Sequence, residues 1–465
     1  MSQNASHLQA DIERLAPKYQ RPGPRYTSYP TAPHLSEAFA TNQFEARCAQ
    51  ADQRDLPLSL YVHVPFCRSI CYYCACNKVV TRTPGAGQEY LNALDKELTR
   101  YRDWGLNQRL VTQLHWGGGT PTYLSDAELT QLMHLIARNY QLTDAPDREY
   151  SIEIDPRTVS KQTIALLRGL GFNRLSLGIQ DFDPLVQKAI NRVQPYEMVA
   201  DLTHCIREHG FKSLSFDLIY GLPHQSEQSF SKTLAKVIRL GPDRIACYNY
   251  AHLPNRFTSQ RAIDRLTLPS ATQRLRLQRL IDTTLADSGY VLIGLDHYVK
   301  TTDELSVAQR EGRLQRNFQG YSLKSAEDMM GIGHSAISQI GDMIVQNARN
   351  LDDYLAKTEA NESPISRGLK LTQDDLLRRD IIMDICCKLE FSLSEICQRY
   401  GYQAQSYLKK EIEDLQEFVA DGLINETGSG YRLTTLGRHF LRNLCMVFDA
   451  WLEQTPVDIK YSKTV

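Results

Sequence analysis

Between residues 58 and 299, short apolar runs alternate with stretches of helical periodicity, and this alternation constrains the fold more than any other feature. The predicted strands are 58–64, 111–117, 149–155, 174–180, 213–220 and 244–250, with a further apolar run at 290–295. The predicted helices are 89–104, 125–140, 158–170, 196–209, 226–240 and 270–288. Such regular alternation indicates right-handed βαβ units around a parallel sheet. About six units predict an α/β fold, a parallel (β/α)6-type barrel, incomplete or complete.

The segments that flank this region have other patterns. Residues 1–55 begin with a short amphipathic helix, and the prolines of 21–33 then exclude helix or central strand and predict an extended arm, either a linker or a contact surface. Residues 301–365 are polar and rich in glycine, as in loops that cover a barrel mouth. Residues 366–465 predict a mainly helical, winged-helix-like domain. The predicted domains are therefore 1–55, 56–300, 301–365 and 366–465.

Four of the eleven cysteines follow directly after the first predicted strand, at Cys67, Cys71, Cys74 and Cys76. Loops at the carboxyl ends of strands carry the chemistry of α/β folds. The spacing Cys-x3-Cys-x2-Cys suits a [4Fe-4S] cluster, with three thiolates on three irons and the fourth iron open. Zinc is the alternative, although structural zinc sites usually add a distant Cys or His pair. A disulfide knot does not fit so large a chain without a secretory segment.

Cys76 is one thiol more than an open cluster can use. It lies only two residues after Cys74 and has little chain length to reach the fourth iron, and a fourth thiolate would close that iron to other ligands. We therefore predict that Cys67, Cys71 and Cys74 bind the cluster. Cys76 is predicted to face the active-site cavity without binding iron.

Polar residues recur where the later predicted strands end. They are the glycines 117–119, Glu153, Gln180 and Asp217. Successive glycines let the backbone approach a ligand and offer it amide groups. Because the carboxyl ends of parallel strands share one face of the sheet, the pattern indicates a ligand site there. Asp155 and Asp181 also fit another role, the capping of the following helix.

The composition argues against several classes of partner. Lys+Arg 53 nearly balance Asp+Glu 54, and this net charge of -1 is not that of a general nucleic-acid binder. Asp and Glu also outnumber Lys and Arg in 366–450, so the winged-helix-like region is not predicted to bind DNA. No apolar run approaches the roughly 18 residues of a membrane span, and a secretory leader is not apparent. We expect a cytoplasmic protein, and a monomer because no heptad pattern indicates a dimer.

The cysteine loop, with Tyr73 beside its third cysteine and Gly-Gly-Gly-Thr at 117–120, resembles the radical S-adenosylmethionine (SAM) superfamily. In that superfamily the open iron binds the amino and carboxylate groups of SAM. One electron from the cluster then splits the sulfonium and releases a 5′-deoxyadenosyl radical. The resemblance implies one [4Fe-4S] cluster and SAM as cofactors.

Further motifs narrow the resemblance. They are Arg-Tyr-Thr-Ser-Tyr-Pro from Arg25, Tyr-Asn-Tyr-Ala-His-Leu-Pro from Tyr248, Asp-His-Tyr from Asp296 and Arg-Asn-Phe-Gln-Gly-Tyr from Arg316. Together, from about residue 20 to 450, they are similar to the oxygen-independent coproporphyrinogen III dehydrogenases of haem biosynthesis. That family decarboxylates two propionates of coproporphyrinogen III to vinyl groups, giving protoporphyrinogen IX. The resemblance implies this substrate, an electron donor and an electron acceptor.

The resemblance also assigns residues to two SAM molecules in one site. Those implied for the cluster-bound SAM are Tyr61, Gly118, Glu153 and Arg192. Those implied for the second SAM are Tyr73, Gly119, Thr120, Gln180, Asp217, Ala251 and Ile337. These residue types match the groups of SAM, because carboxylates can bind its ribose hydroxyls and its ammonium group, and a guanidinium can bind its carboxylate. His334, near Ile337, is bulkier and more polar than we would expect in that motif.

Two other functions share parts of this pattern. A haem chaperone of the same superfamily has the three-cysteine loop, but Cys76 and the arm with Arg25 favour the dehydrogenase. A zinc-dependent regulator acting through the winged-helix-like region would give colourless protein with zinc instead of brown protein with iron. Arg21 and Arg25 are candidates for binding the substrate's carboxylates on charge alone.

Overall fold

The computed structural model describes residues 2–50, 56–323, 328–454 and 461–464. The chain forms two compact units, one of Leu35–Leu277 and Lys324–Lys370, the other of Met1–His34, Gln278–Leu323 and Leu371–Val465. Each unit thus joins segments that the predicted domains kept apart. The predicted boundary at residue 55 falls on 51–55, which lie outside the described residues.

The larger unit is organised around one sheet. Its strands are β1 Leu58–Val64, β2 Leu110–Gly118, β3 Glu149–Ile154, β4 Arg174–Gln180, β5 Ser213–Tyr220, β6 Arg244–Asn249, β7 Asp328–Ile332, β8 Ile337–Ile340, β9 Met343–Asn347 and β10 Ile365–Lys370. Neighbours in the sheet follow the order β6-β5-β4-β3-β2-β1-β7-β8-β9-β10. Strands β1 to β6 pair in parallel, β7 is parallel to β1, and β8 to β10 are antiparallel. The predicted parallel sheet is confirmed.

Helices connect the parallel strands as the sequence periodicity predicts. The α-helices of this unit include Thr41–Cys48, Ala86–Asp103, Asp126–Asn139, Lys161–Gly169, Pro184–Ala189, Tyr196–Glu208, Glu227–Leu240 and Leu351–Glu359, and Ala271–Asp287 crosses the division between the units. Short 3-10 turns lie at Leu106–Gln108, Pro121–Tyr123, Pro156–Thr158, Thr258–Ala262 and Arg265–Thr267, and Gln141–Leu142 forms a short strand beside β2. Capping boxes at Ser125, Ser160 and Ser226 fix three helix starts. The helix Thr41–Cys48 falls where only an arm was predicted.

The prediction of covering loops in 301–365 is wrong for the part that forms β7, β8 and β9. Strand β7 is buried along its length and extends the sheet beside β1. Its Gly331 is needed for close packing, because a Cβ atom there would lie 2.3 Å from the Ile337 carbonyl oxygen. A glycine that permits close approach within a sheet looks the same in sequence as a glycine in a loop.

The smaller unit contains the predicted mainly helical carboxyl-terminal region. Its helices are Ser2–Tyr19, Glu304–Arg310, Gln373–Lys388, Leu393–Arg399, Ala404–Tyr407, Lys409–Ala420 and Leu441–Val447, with 3-10 turns at Ala32–His34, Gly437–Phe440 and Leu452–Gln454. Its strands are Tyr290–Gly294, His297–Lys300, Gln315–Asn317, Gly320–Ser322, Glu390–Phe391, Ile424–Glu426 and Tyr431–Leu433. Ile424–Glu426 pairs in antiparallel with Tyr431–Leu433, which gives the hairpin that a winged-helix-like region contains.

The proline-rich arm packs within the smaller unit. Tyr26 and Tyr29 are buried, and the Tyr26 hydroxyl donates to Asp449 at 2.9 Å. Arg25 lies 3.3 Å from Asp296. The arm is therefore not a free linker, and the alternative that it is a contact surface for an acidic ligand stays a prediction. Among the residues described, no helix is both long enough and apolar enough to cross a bilayer.

A buried ion pair fixes the amino-terminal ends of the three central strands of the larger unit. Arg109, just before β2, donates to Asp328 of β7 at 2.6 Å and to the carbonyl oxygens of Leu56 and Pro57 at 2.8 Å each. The two charged side chains are 1% and 2% exposed. The pair therefore connects the amino-terminal ends of β1, β2 and β7. The carboxyl ends of β1 and β2 lie at the opposite end of these strands.

Candidate active site

The two ends of the cysteine loop are paired with each other. Strand β1 runs into Pro65, and Phe66–Cys67 pairs in parallel with Val79–Val80. The Val79 amide donates to the Pro65 carbonyl at 2.8 Å, and the Thr81 amide donates to the Cys67 carbonyl at 3.1 Å. This ribbon closes the loop and holds its cysteines at the carboxyl end of β1, as the sequence predicts.

A cavity of about 490 Å³ lies between this loop and the carboxyl ends of β2 to β6. The predicted site residues in its lining are Cys67, Cys71, Tyr73, Cys74, Cys76, Gly118, Gly119, Thr120, Glu153, Gln180, Arg192 and Asp217. They come from separate segments of the sequence. The structure therefore brings most of the predicted cofactor-binding residues to one cavity.

Three predicted SAM contacts are not in this lining. Tyr61 lies on β1, with its ring stacked on His115 at 5.9 Å and its hydroxyl 3.0 Å from Nδ1 of His63. Ala251 accepts a hydrogen bond from Gln260 through its carbonyl oxygen, at 3.2 Å. Ile337 begins β8, opposite Gln346. Their assignment to SAM remains a prediction from the resemblance.

The thiols have polar and cationic neighbours. Arg192 and Arg157 each direct a guanidinium N–H towards the sulfur of Cys71, at 3.5 and 3.7 Å, and the Thr120 hydroxyl lies 3.4 Å from the sulfur of Cys67. Burial raises the pKa of Cys67 to about 11, whereas a hydrogen bond with Cys76 lowers the pKa of Cys74 to about 6. Positive charge beside sulfur favours the thiolate. Three thiols on one cavity, with cations beside one of them, fit a [4Fe-4S] cluster.

Asp155 does cap the following turn, and it also organises two arginines. Its carboxylate accepts from the Arg157 amide at 3.0 Å, from the Arg157 guanidinium at 2.7 Å and from Arg192 at 3.1 Å. Burial opposes ionisation of Asp155, but Arg192 and Arg157 outweigh it and lower its pKa. Arg192 is itself 6% exposed and also donates to the Gly178 carbonyl at 2.7 Å. Arg157 was not among the predicted site residues, because only its pairing with Asp155 in the folded chain reveals it.

The predicted capping role of Asp181 is wrong. The following helix is capped by Asp183, whose side chain accepts from the amides of Leu185 and Val186. Asp181 is fully buried and accepts from the Gln225 side chain at 2.6 Å and from Thr233 at 2.5 Å. It links the end of β4 to the end of β5 and the helix that follows, a long-range role that local sequence does not show.

Gly118 and Gly119, at the end of β2, leave no room for a side chain. A Cβ atom at Gly119 would lie 2.4 Å from the carbonyl oxygen of Pro65, and one at Gly118 would lie 2.8 Å from the ring of His63. Gly118 also has φ +116°, a conformation that side chains rarely adopt. Its amide donates to Glu153 at 3.3 Å. The glycines therefore allow the end of β2 to pack directly against the cysteine loop.

Asp217 lies on β5 and faces the cavity. It accepts a hydrogen bond from the Ser176 hydroxyl at 3.0 Å. Burial, and secondarily the negative charge of Glu153, raises the pKa of Asp217 to about 7. Near neutral pH the side chain is therefore poised between its neutral and charged forms.

This raised pKa predicts a pH-dependent stability for the cluster-free protein. The folded state holds the Asp217 proton more tightly than the unfolded chain, in which the pKa is near 3.8. The free energy of unfolding should therefore fall as the pH rises from about 4 to about 7. Asp217→Asn cannot ionise and should lack this part of the fall. Urea titrations at about pH 5 and pH 8 check it, and an equal wild-type–variant difference at both values would contradict it.

Several cavity residues were not predicted. The three cations Arg68, Lys78 and Arg82 line it from the cysteine loop and the residues just after it, and Ser176 and Tyr248 line it from the strands. The sequence signal for these cations is their position within a few residues of the cluster-binding cysteines.

Comparisons with known proteins agree with this architecture. The profile described as "Radical SAM superfamily" matches residues 61–237, and that described as "HemN C-terminal domain" matches residues 371–440. The oxygen-independent coproporphyrinogen III oxidase of Salmonella typhimurium is 44% identical over 451 residues, covering 97% of this chain and 98% of the relative. The enzyme of the same name from Pseudomonas aeruginosa is 44% identical over 445 residues, covering 95% and 96%.

A solved structure extends the agreement to three dimensions. The coproporphyrinogen III oxidase of Escherichia coli, described as a radical SAM enzyme, superposes with a TM-score of 0.89 at 44% identity, over 92% of this chain and 98% of that one. The similarity is nearly full-length and includes both the cysteine loop and the carboxyl-terminal region. The chain therefore belongs to the oxygen-independent coproporphyrinogen III oxidase family, within the radical SAM superfamily.

Proposed function

We propose that the protein converts two propionate side chains of coproporphyrinogen III to vinyl groups without oxygen, releasing two molecules of carbon dioxide and giving protoporphyrinogen IX. The observation that carries this proposal is the cavity, in which three thiols at the x3, x2 spacing meet the polar ends of four parallel strands. The relatives that bear the name of this activity, matched over nearly their whole length, support the choice of substrate.

As a radical SAM enzyme, the protein uses a [4Fe-4S] cluster and SAM. When bound, they supply a carbon radical that can remove hydrogen from the unactivated β-carbon of a propionate, which no side-chain base can do. Cys67, Cys71 and Cys74 would hold the cluster. Arg192 and Arg157 place positive charge beside the Cys71 sulfur, where the bound cluster would carry negative charge.

We further propose that the cavity holds two SAM molecules. Glu153 and the amide of Gly118 lie together on one side, while Gln180 and Asp217 belong to the neighbouring strands β4 and β5. In this proposal, which follows the family resemblance, Tyr61, Gly118, Glu153 and Arg192 bind one SAM. Tyr73, Gly119, Thr120, Gln180, Asp217, Ala251 and Ile337 bind the other. An electron donor, an electron acceptor and a monomeric state complete the proposal.

Cys76 is proposed as a residue that contacts SAM or substrate and does not bind iron. It lines the cavity and is the most exposed of the four loop cysteines. Cys76 lies only two residues after Cys74, so little chain is available for its sulfur to reach the fourth iron.

The proposed activity is tested with anaerobically reconstituted protein, SAM, a reductant and coproporphyrinogen III. We expect protoporphyrinogen IX, 5′-deoxyadenosine and carbon dioxide to form together. SAM cleavage without vinyl product, accompanied by tight haem binding, would instead indicate a haem chaperone. Colourless protein that carries zinc would exclude both the proposed activity and the haem-chaperone function.

Asp217→Ala tests the proposed second SAM position. The variant should retain the cluster and the spectral change that the first SAM produces, yet lose turnover on the order of tenfold, because removing one partner of a buried hydrogen bond costs about 1–3 kcal/mol and about 1.4 kcal/mol is a factor of ten. Iron content, spectroscopy with SAM and product formation are measured on the same preparation. Wild-type turnover in Asp217→Ala would exclude this residue from the site.

A further inference from the structure

The cysteine loop carries three cations beside its thiols. Arg68 directly follows Cys67, Lys78 lies shortly after Cys76, and Arg82 follows the short ribbon that closes the loop. All three line the active-site cavity, and Arg68 and Arg82 are exposed, so they lie where the cavity opens to solvent. We call Arg68, Lys78 and Arg82 the cationic rim.

The backbone places the rim where the loop closes. Residues 66–67 and 79–80 pair, and the Arg82 side chain donates from Nε to the Arg68 carbonyl oxygen at 3.2 Å. On the other side of the loop, the Asn77 carbonyl lies 3.0 Å from Nε2 of His63, and the Asn77 side chain donates to the Arg349 carbonyl at 3.2 Å. Lys78 follows this anchored residue directly. The rim is therefore held by the same contacts that hold the cysteines.

The charges of the rim differ from those deeper in the cavity. Arg157 and Arg192 share the carboxylate of Asp155. In the described part of the chain, no carboxylate pairs with a rim cation. Lys78 donates to the Cys74 carbonyl at 3.4 Å, and the Arg68 guanidinium lies 5.9 Å from the ring of Tyr123. The rim thus presents positive charge to any molecule that enters the cavity.

Coproporphyrinogen III is a tetracarboxylate with propionates around the edge of a wide macrocycle. When one propionate reaches towards the thiol-lined cavity, the others stay near its opening. Arginine binds a carboxylate with two parallel hydrogen bonds, and lysine binds it as a point charge. Each decarboxylation removes one negative charge, so the same cations would hold the product less tightly than the substrate.

We infer that the cationic rim binds carboxylates of the porphyrinogen substrate. This inference rests on the proposed function and adds to it the residues that recognise the substrate. An acidic electron-donor protein is a different partner that could meet the same charges. The substrate is the better match because all three cations line the cavity itself and not only the outer surface.

The test uses the reconstituted holoenzyme with a chemical reductant that needs no docking site. Arg68→Ala and Arg82→Ala should each raise KM for coproporphyrinogen III on the order of tenfold, and the double variant more, as expected for lost charge-assisted hydrogen bonds. The Lys variants at both positions should recover part of the loss, and KM should rise with ionic strength less steeply in the double variant than in the wild type. Iron content and SAM binding should match the wild type. Arg239→Ala, an exposed arginine on helix Glu227–Leu240, is the matched control and should not change KM.

The outcomes separate this inference from the proposed function. If the wild-type enzyme makes no vinyl product, the proposed function fails before the variants are compared. If the wild type is active and the double variant keeps its KM with the chemical reductant, the rim does not bind substrate. A loss seen only with a protein reductant would also overturn the inference and would assign the rim to donor docking.

Discussion

Alanine at Cys67, Cys71 or Cys74 is expected to abolish the cluster, and with it all turnover. An open cubane depends on three thiolates, and loss of one leaves two irons without a protein ligand. Cys71 should show the effect most clearly, because its sulfur is buried and contacted by two guanidinium groups. Iron and sulfide content and the visible absorption of anaerobically reconstituted protein measure it.

Cys76→Ala is the matched control within the same loop. It should retain about four irons per chain and the spectral response to SAM, because Cys76 is proposed not to bind iron. Its turnover should still fall if the thiol contacts SAM or substrate. A Cys76→Ala protein without a cluster, or a Cys71→Ala protein with one, would contradict the assignment of ligands.

The second large effect is expected far from the chemistry, at Arg109. Arg109→Ala removes three hydrogen bonds and leaves the Asp328 carboxylate buried without its cationic partner, although the Gly341 amide still donates to it at 2.6 Å. Breaking a buried ion pair typically costs about 3–5 kcal/mol of folding free energy, because the charge left behind is poorly solvated. Denaturant unfolding of the cluster-free protein gives this free energy directly.

Arg138→Ala provides the comparison for an exposed pair. Arg138 contacts Asp95 at the surface, with 47% and 36% of the two side chains exposed. Exposed ion pairs contribute about 0–1 kcal/mol, so this variant should unfold close to the wild type. Equal losses for Arg109→Ala and Arg138→Ala would show that burial of the Arg109 pair adds nothing to stability.

Much of the fold follows from local patterns in the sequence. Strands β1, β4 and β5 begin and end where their apolar runs do, and Ser125 and Ser226 mark helix starts through side-chain capping that acts within three residues. Strand β7 was missed because its glycine serves packing against Ile337, which local sequence does not reveal. Short-range signals therefore predicted the parallel sheet but not its continuation beyond β1.

In the site too, some residues could be predicted from local sequence, whereas others act through distant contacts. Sulfur spacing and strand ends predicted Cys67, Glu153 and Asp217 because both signals are read along the chain. The double role of Asp155, shared between Arg157 and Arg192, depends on a contact between the residue just after β3 and Arg192, more than thirty residues later in the chain. Side chains that act through distant partners require the folded structure.

The position of β1 has a consequence for the order of assembly during synthesis. One edge of β1 pairs with β2, which is made soon afterwards, but its other edge pairs with β7, made about 270 residues later. At about 10 residues per second, roughly half a minute separates the two strands on the ribosome. Throughout that interval the strand that leads into the cysteine loop cannot have its native neighbour on that edge. Such an open edge is a template for wrong pairing, so β1 stays exposed to wrong partners until β7 has been made.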